Sequence, residues 1–312
     1  MTERAPEALT VTAPATSANL GPGFDCLAVA LDLGNAVVIT RRSGPLEVAV
    51  TGEGAGEVPE DASNLVCRAL AAGLGSLDGL RVECRNRIPL GRGLGSSAAA
   101  VCSGLVAANA LGGLRWTPDD LLARAAEIEG HADNAAACLS GGLVAVAPGP
   151  VARPIPVPEG LTFLAVVPEG HVSTEAARRA LPATVPLADV TATLANAIGL
   201  TLALCEGRID DLPPLLADRV HEPHRGAMIP GLAAVRGVVD GEGCLGATIS
   251  GSGPSMLLWV RPDAAERVGA AVTKALHLLG VAALVRPSRV GAAGVRARWT
   301  GGADLRLARA VG

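Results

Sequence analysis

Residues 89–100 read Pro-Leu-Gly-Arg-Gly-Leu-Gly-Ser-Ser-Ala-Ala-Ala, and this stretch decides the fold. Residues 80–85 are predicted to form a strand before it, and the alanine-rich residues 97–111 a helix after it. Three glycines allow the backbone between them to turn tightly and to approach a ligand without Cβ clashes. The free N–H groups and the positive end of the helix dipole would then face the loop. The stretch therefore predicts a phosphate-binding loop, in which the Ser96 and Ser97 hydroxyls can cap the helix or contact phosphate or a metal.

The loop matches neither of the two common nucleotide-binding motifs. A Walker A loop requires Gly-Lys-Ser/Thr, and Lys274 is the single lysine of the chain. A Rossmann loop requires G-x-G-x-x-G followed by an acidic residue about 20 positions later, whereas this loop reads G-x-G-x-G-S-S. Taken alone, the stretch is also compatible with a structural β–α turn that ends in a serine cap.

Composition narrows the class of protein. The 312 residues suit one large or two smaller domains, and only 2% are aromatic, so Ala, Val, Leu and Ile must build the core. A net charge of −4 without a basic tract disfavours nucleic acid as a partner. Seven cysteines without a C-x-x-C pair predict free thiols in a reducing compartment. With no apolar signal core and no evident 18-residue apolar span, we expect a cytoplasmic protein that does not contact a membrane.

The element pattern predicts an α+β protein with two domains. Five prolines within residues 148–160 place the boundary there, giving domains at 1–158 and 159–312. In the first domain Ser63 or Asn64 is expected to cap a helix that ends near Leu74, and Thr117 to cap another with Pro118 at its first position. The second domain is predicted to contain strands at 161–167, 245–249, 256–260 and 281–286, with its longest helix at 187–205.

Two further loops make the pattern specific. The first loop, residues 16–25, reads Thr-Ser-Ala-Asn-Leu-Gly-Pro-Gly-Phe-Asp, and the third loop, residues 250–254, reads Ser-Gly-Ser-Gly-Pro; the phosphate loop, residues 89–98, lies between them. Each alone could be a structural turn. Together, in this order, they resemble the GHMP kinase superfamily. With His131-x-Asp133-Asn134 and the stretches 173–182 and 218–225, they resemble the homoserine kinase family within it.

The resemblance implies a two-domain GHMP kinase fold. Its N-terminal domain has a left-handed β-α-β crossover, and its C-terminal domain is a ferredoxin-like α/β sandwich. It also implies transfer of the γ-phosphoryl group of ATP to the hydroxyl of L-homoserine, a step of threonine biosynthesis. A kinase for another alcohol (mevalonate, shikimate or a sugar) and a non-catalytic ligand sensor on the same scaffold remain as alternatives. Members of the family often form dimers, so a homodimer is expected.

The resemblance assigns the nucleotide and metal contacts. Mg²⁺ would be held by Ser97 and Glu127, with Glu129 as the substitute if the register differs. Asn64 and Val66 would line the adenine pocket. The remaining ATP contacts fall on Pro89, Leu90, Gly91, Arg92, Gly93, Leu94, Gly95, Ser96, Ser97 and Ala98.

The substrate contacts follow from the charges of an amino acid. Arg178 and Arg225 suit its carboxylate, and Asp25 can accept from its ammonium group. By resemblance, the remaining contacts are Asn19 and His131 beside the ammonium, Asn134 at the reacting hydroxyl, and Gly251 and Ser252.

A lysine is absent from the expected loops, so we predict direct attack by the hydroxyl without a strong general base. In this scheme Asn134, Asp25, Ser97 and Glu127 are the catalytic set. The cluster of His221, Glu222 and His224 has no metal-ligand spacing and more plausibly shapes the segment that presents Arg225.

Overall fold

Two sheets with helices packed on them form the structure. The computed structural model describes residues 8–239, 243–289, 293–300 and 304–305. The larger sheet has the strand order β12-β11-β1-β2-β4-β3, and β5 pairs with both β2 and β6. Its strands are β1 (Ala8–Asn19), β2 (Gly23–Arg41), β3 (Glu47–Gly52), β4 (Leu80–Asn86), β5 (Leu143–Ala147), β6 (Val151–Ile155), β11 (Arg296–Trp299) and β12 (Asp304–Leu305). The helices of the N-terminal half are α1 (Leu65–Leu74), α2 (Ser96–Gly112), α3 (Pro118–Glu129) and α4 (Asp133–Ser140).

Strands β3 and β4 are parallel neighbours joined through α1. A parallel pair requires a crossover connection, which the predicted β-α-β unit supplies. The left-handedness expected for this crossover stays a prediction.

The smaller sheet has the strand order β10-β7-β9-β8, and every pair in it is antiparallel. Numbered within the sheet, this is the order 4-1-3-2 of a ferredoxin-like unit, as predicted. The strands are β7 (Thr162–Pro168), β8 (Cys244–Ile249), β9 (Met256–Val260) and β10 (Ala283–Ser288). The helices are α5 (Thr174–Arg179), α6 (Leu187–Cys205), α7 (Leu212–Leu215), α8 (Glu222–Arg225), α9 (Leu232–Arg236) and α10 (Ala265–Leu278).

The smaller sheet separates two apolar cores. Successive residues of a strand point to opposite faces, so Phe163 and Trp259 join the large core while Leu164 and Leu258 pack in the second core with α10. The rings of Phe163 and Trp259 meet edge to face with centroids 4.9 Å apart. Both cores consist mainly of small aliphatic side chains, as the composition predicts.

The side-chain caps predicted for α1 and α3 are present, the one predicted for α2 is not, and α5 has a cap that was not predicted. The side chains of Asn64, Thr117 and Ser173 cap α1, α3 and α5. The N-cap of α2 is Gly95 in the left-handed conformation, with no side-chain cap. The prediction that Ser96 or Ser97 caps this helix is wrong, because both lie inside its first turn.

Two features of the chain differ from the sequence analysis. Strand β6 lies inside the proline-rich stretch where the sequence analysis places the domain boundary. Among the strands that the structure describes it pairs with β5 alone, and a proline is tolerated on such an edge strand. Strand β11, from the far end of the chain, pairs with β1 in the larger sheet. The domain boundary at 158/159 therefore stays a prediction, with β11 crossing back over it.

Helix α6 contradicts the expectation that no apolar span reaches 18 residues. It is 19 residues long, its mean hydropathy is 1.5, and by length and composition alone it could cross a membrane. Only 22% of that window is buried, and Leu187, Leu194, Ile198 and Leu202 form an exposed apolar stripe. The opposite face of α6, with Leu200 and Leu204, is buried in the large core. One such helix is weak evidence for a membrane segment.

Candidate active site

The three glycine-rich loops meet at one place, as predicted. The Asn19 Nδ2 of the first loop donates to the Gly251 carbonyl of the third loop over 2.8 Å. The Ser250 hydroxyl of the third loop donates to the Gly93 carbonyl of the phosphate loop over 2.7 Å. Residues far apart in sequence thus form the wall of one cleft.

The cleft has a volume of about 260 Å³ and lies where the two sheets approach each other. It gathers most of the side chains that the sequence analysis selected. Those lining it are Asn19, Asp25, Pro89, Gly91, Arg92, Gly93, Leu94, Gly95, Ser96, Ser97, His131, Asn134, Arg178, Arg225, Gly251 and Ser252.

The phosphate loop has the backbone that an anion cradle requires. Gly91, Gly93 and Gly95 have φ angles of 60°, 72° and 67°, which side-chain-bearing residues rarely adopt. At Gly93 a Cβ atom would lie 2.2 Å from the Ser250 carbonyl oxygen, so the third loop packs directly on it. The loop leads into the 17-residue helix α2, whose first N–H groups have no partner within the helix. This end of α2 is suited to bind phosphate.

Ser97 faces Glu129, which the sequence analysis named as the substitute, and not Glu127. Ser97 Oγ donates to Glu129 Oε2 over 2.5 Å at the cleft wall. Glu127 is exposed and does not line the cleft. Residues two apart on a helix point about 200° away from each other, so only one of the two carboxylates can face Ser97. The substitute named in the sequence analysis, Glu129, is the carboxylate in the cleft.

Asp25 and Arg178 neutralise each other across the cleft. The two guanidinium nitrogens of Arg178 lie 3.0 and 3.1 Å from the two carboxylate oxygens of Asp25, a bidentate pair. The Asp25 N–H donates to Asn19 Oδ1 over 3.0 Å. Asn19 also donates to the third loop, so its side chain holds the two loops together, and its Nδ2 keeps a second N–H in the cleft that Asn19 lines.

Arg225 is buried and fixed by backbone carbonyls. Its Nε donates to the Ala177 oxygen over 3.2 Å and its Nη1 to the Gly251 oxygen over 3.3 Å. Its guanidinium lies 5.0 Å from the ring centroid of Phe24, and that of Arg178 lies 5.9 Å from the same centroid. The two arginines therefore flank one aromatic ring that the sequence analysis did not select.

Hydrogen bonds within residues 218–225 stabilise the segment that presents Arg225. Asp218 accepts from the backbone N–H groups of His221 and Glu222 over 2.7 and 2.8 Å. The fully buried His221 ring bonds the Gly21 carbonyl through Nε2 over 2.8 Å and stacks on Phe24. Burial lowers the pKa of His221, so the neutral ring donates through Nε2. His221 and Glu222 thus shape this segment, in line with the sequence analysis.

Glu222 ties the same segment to β8 and gives it a pH dependence. Its carboxylate accepts from the Ile249 N–H over 2.7 Å and contacts Arg236. Burial raises the pKa of the Glu222 carboxyl to about 7, above its ordinary value of 4.5. The folded state then binds more protons than the unfolded state between these values, so this group's contribution to stability falls as pH rises from about 4.5 to 7.

We expect the stability of Glu222→Gln to fall less than that of the parent chain as pH rises across this window. The amide keeps an acceptor for the Ile249 N–H but does not ionise, which removes the titration. Urea unfolding midpoints at pH 5 and pH 8 measure the effect. Parallel pH dependence in the two proteins would contradict the expectation.

His131, Asp133 and Asn134 form a hydrogen-bonded group at the start of α4. His131 Nδ1 lies 2.8 Å from Asp133 Oδ1, and the Asn134 N–H donates to the same oxygen over 2.7 Å. The bond to buried Asp133 raises the pKa of His131 and favours its imidazolium form. An imidazolium suits an anionic neighbour, whereas the resemblance had placed His131 beside an ammonium. Asp133 was quoted within a motif but given no role.

Four predicted nucleotide contacts lie outside the cleft. Asn64 is buried, and its side chain caps α1 through Val66 N–H and donates to the Pro59 carbonyl. These bonds use one N–H and one oxygen lone pair of the amide, and its placement at adenine stays a prediction. The others are Val66 and Ala98, which are buried, and Leu90, which is half-buried.

Comparison with known protein families agrees with this geometry. The family model described as GHMP kinases N terminal domain matches residues 62–142, and that described as GHMP kinases C terminal matches residues 200–278. A homoserine kinase of Moorella thermoacetica is 38% identical over 283 residues, which cover 88% of this chain and 95% of the relative. The chain therefore belongs to the homoserine kinase family of GHMP kinases.

Other relatives of this family give the same result. A homoserine kinase of Corynebacterium efficiens is 40% identical over 274 residues, covering 83% of this chain and 88% of the relative. The crystal structure of a homoserine kinase from Cytophaga hutchinsonii superposes with a TM-score of 0.86 at 33% identity, covering 96% of this chain and 99% of that one. A galactokinase from Lactococcus lactis, at 14% identity and a TM-score of 0.68, shares the fold.

Proposed function

We propose that this chain transfers the γ-phosphoryl group of ATP to the hydroxyl of L-homoserine, which yields ADP and O-phospho-L-homoserine. Family membership makes it an ATP-dependent kinase that acts on an alcohol. The observation that carries the proposal is one cleft with an anion cradle on one side and Asp25, Arg178 and Arg225 on the other.

The phosphate loop would hold the triphosphate. In phosphoryl transfer the protein contributes mainly by positioning the reactants and by stabilising the developing negative charge. Ser96 and Ser97, the first residues of α2, line the cleft, and Arg92 adds a cation to its wall. The chain thus replaces the lysine of a Walker A loop with main-chain donors and an arginine.

Ser97 and Glu129 would hold Mg²⁺. Their oxygens face each other, and Mg²⁺ binds hard oxygen ligands, with one or two carboxylates and the substrate phosphates completing its shell. The ion would neutralise charge on the β- and γ-phosphates. Among the described residues no group of three or more His, Cys, Asp or Glu side chains is arranged to hold a metal.

A zwitterionic substrate would divide the Asp25–Arg178 pair. Its carboxylate would replace Asp25 at the Arg178 guanidinium, and its ammonium would replace Arg178 at the Asp25 carboxylate. Arg225 lies beside them to bind the same carboxylate. Each charge that is separated in this exchange gains a new partner, so the exchange favours an amino acid over a neutral alcohol.

Asn134 would bind the hydroxyl that attacks the γ-phosphorus. Its neighbours supply no lysine, and the nearest carboxylate, Asp133, is already bonded to His131 and to the Asn134 N–H. The hydroxyl would therefore attack directly and pass its proton to a phosphate oxygen or to water. Holding the two reactants in line can contribute roughly 7–11 kcal/mol to lowering the barrier.

A panel of alcohols tests the substrate. We expect kcat/KM for ADP release with L-homoserine to exceed that with mevalonate or shikimate by at least about tenfold, because these two acids carry a carboxylate but no ammonium group for Asp25. It should exceed that with galactose, which lacks both charged groups, by at least about 100-fold. Equal turnover of mevalonate and homoserine would overturn the assignment. ATP binding without ADP release in the presence of Mg²⁺ and homoserine would instead identify a ligand sensor.

A cytoplasmic location and a homodimer remain predictions. The exposed stripe of α6 is the described surface that suits a second copy. Its members Leu187, Leu194, Ile198 and Leu202 are spaced by seven, four and four residues, close to the spacing by which one helix packs along another.

A further inference from the structure

Thr16 touches both halves of the active site, although no role has been given to it above. It lies near the end of β1, and its side chain is fully buried. Its backbone N–H donates to the Leu94 carbonyl of the phosphate loop over 3.1 Å. Its hydroxyl donates to Asn134 Oδ1 over 2.7 Å. One residue therefore bonds the nucleotide side of the cleft through its backbone and the acceptor side through its side chain.

The oxygen and the nitrogen of the Asn134 side-chain amide have different partners. Oδ1 accepts from the Thr16 hydroxyl, while Nδ2 lies 3.4 Å from Asp133 Oδ1. A carboxylate can only accept, so turning the amide over would place two acceptors against each other. In this orientation Oδ1 is directed at Thr16, and Nδ2 keeps a second N–H that it can donate to a substrate hydroxyl oxygen.

The Thr16–Asn134 bond is held against the start of α2. A Cβ atom on Gly95 would lie 1.9 Å from Thr16 Oγ1 and 3.2 Å from Asn134 Oδ1. The backbone of the phosphate loop thus packs directly on this hydrogen bond. A change in the bond would shift Asn134 relative to the loop that holds the γ-phosphate.

We propose that Thr16 is a positioning residue for phosphoryl transfer. It sets the distance between Asn134 and the phosphate loop, and it keeps the Asn134 amide as a hydrogen-bond donor to the attacking hydroxyl oxygen. One lone pair of that oxygen accepts the N–H and another faces phosphorus, while the hydroxyl proton points away from Asn134 toward a phosphate oxygen. This inference rests on the proposed transfer to a hydroxyl.

Three substitutions at Thr16 separate the hydroxyl from the shape of the side chain. Thr16→Val replaces the hydroxyl with a methyl group. Thr16→Ser and Thr16→Ala both lack the γ-methyl and differ in the hydroxyl alone. We expect Val and Ala to lower kcat by about 10²-fold, the cost of a small misplacement of reacting groups. KM for ATP and for homoserine should stay within about threefold, and Ser should retain kcat within about threefold, because binding contacts and the hydroxyl are preserved.

Ser17→Ala is the matched control. Ser17 is the next residue of β1, and its hydroxyl is buried without a hydrogen-bond partner among the residues that the structure describes. Its removal deletes a buried hydroxyl from the same strand without breaking a bond to Asn134. Its kcat should match that of the parent chain.

A double-mutant cycle with Asn134→Ala tests the route of the effect. If Thr16 acts through Asn134, Thr16→Val should not lower kcat further in the Asn134→Ala background. Parental kcat in Thr16→Val, equal kcat in Thr16→Ser and Thr16→Ala, or additive losses in the cycle would overturn the proposal. If Thr16→Val does not fold, as thermal unfolding would show, the Ser and Ala pair decides. Absence of homoserine turnover in the parent chain would refute the proposed function instead.

Discussion

Glu129→Gln is expected to lower kcat by about 100-fold or more, whereas Glu127→Gln should keep kcat within about twofold. Loss of groups that only support metal ligands already costs about 10–100-fold, so loss of a direct carboxylate ligand should cost at least as much. Both substitutions make the same chemical change on the same helix, and only Glu129 contacts Ser97. Initial rates of ADP release at saturating ATP and homoserine measure the difference.

The magnesium dependence separates a metal ligand from a structural residue. Glu129→Gln should also raise the Mg²⁺ concentration needed for half-maximal rate, while its melting temperature stays close to that of the parent chain. The assignment fails if Glu127→Gln is the inactive variant, or if Glu129→Gln is inactive with an unchanged Mg²⁺ requirement.

Arg178→Ala is expected to raise KM for homoserine by about 100-fold and to leave KM for ATP within about threefold. Its guanidinium can form two charge-assisted hydrogen bonds with a carboxylate, each worth about 1.5–3 kcal/mol, and the nucleotide lies on the other side of the cleft. Arg179→Ala is the matched control, because Arg179 is the next residue, is exposed, and pairs only with exposed Glu175. Steady-state kinetics with each substrate varied in turn provide the measurement. Equal effects of the two substitutions would argue against binding of the substrate carboxylate by Arg178.

Asp25→Asn separates an ammonium contact from a general base. We expect the preference for homoserine over 4-hydroxybutyrate, which lacks the amino group, to shrink by about tenfold or more, because an amide no longer offers the ammonium a charged partner. A thousandfold fall in kcat with homoserine binding intact would instead make Asp25 a base and refute direct attack.

The sequence predicted the cleft well where a motif spans several loops. The pattern of glycines at 91, 93 and 95 indicates close approaches of the backbone. In the structure the third loop packs directly on Gly93. To choose between Glu127 and Glu129, one must know which face of α3 points toward Ser97. The pattern E-x-E does not determine that face. One signal was available: Glu129 directly precedes Gly130, where α3 ends and the stretch with His131 and Asn134 begins.

Other contacts were hidden because they join residues distant in sequence. The sequence left Ser63 and Asn64 as alternative caps of α1, and the hydrogen bonds of the structure show that Asn64 is the cap. The Arg178–Asp25 pair spans 153 positions, and the Thr16–Asn134 bond spans 118. No local pattern encodes either distance. The strand β11 carries no motif, so its pairing with β1 followed only from the structure.

That pairing has a consequence for how the chain is made. The ribosome synthesises β1 long before β11, and until β11 emerges one edge of β1 displays unpaired N–H and C=O groups, from Leu9 opposite Trp299 to Thr12 opposite Arg296. The same strand leads into Thr16 and the first loop. During synthesis the chain must therefore carry an unpaired strand edge beside its own active site until residues 296–299 have left the ribosome.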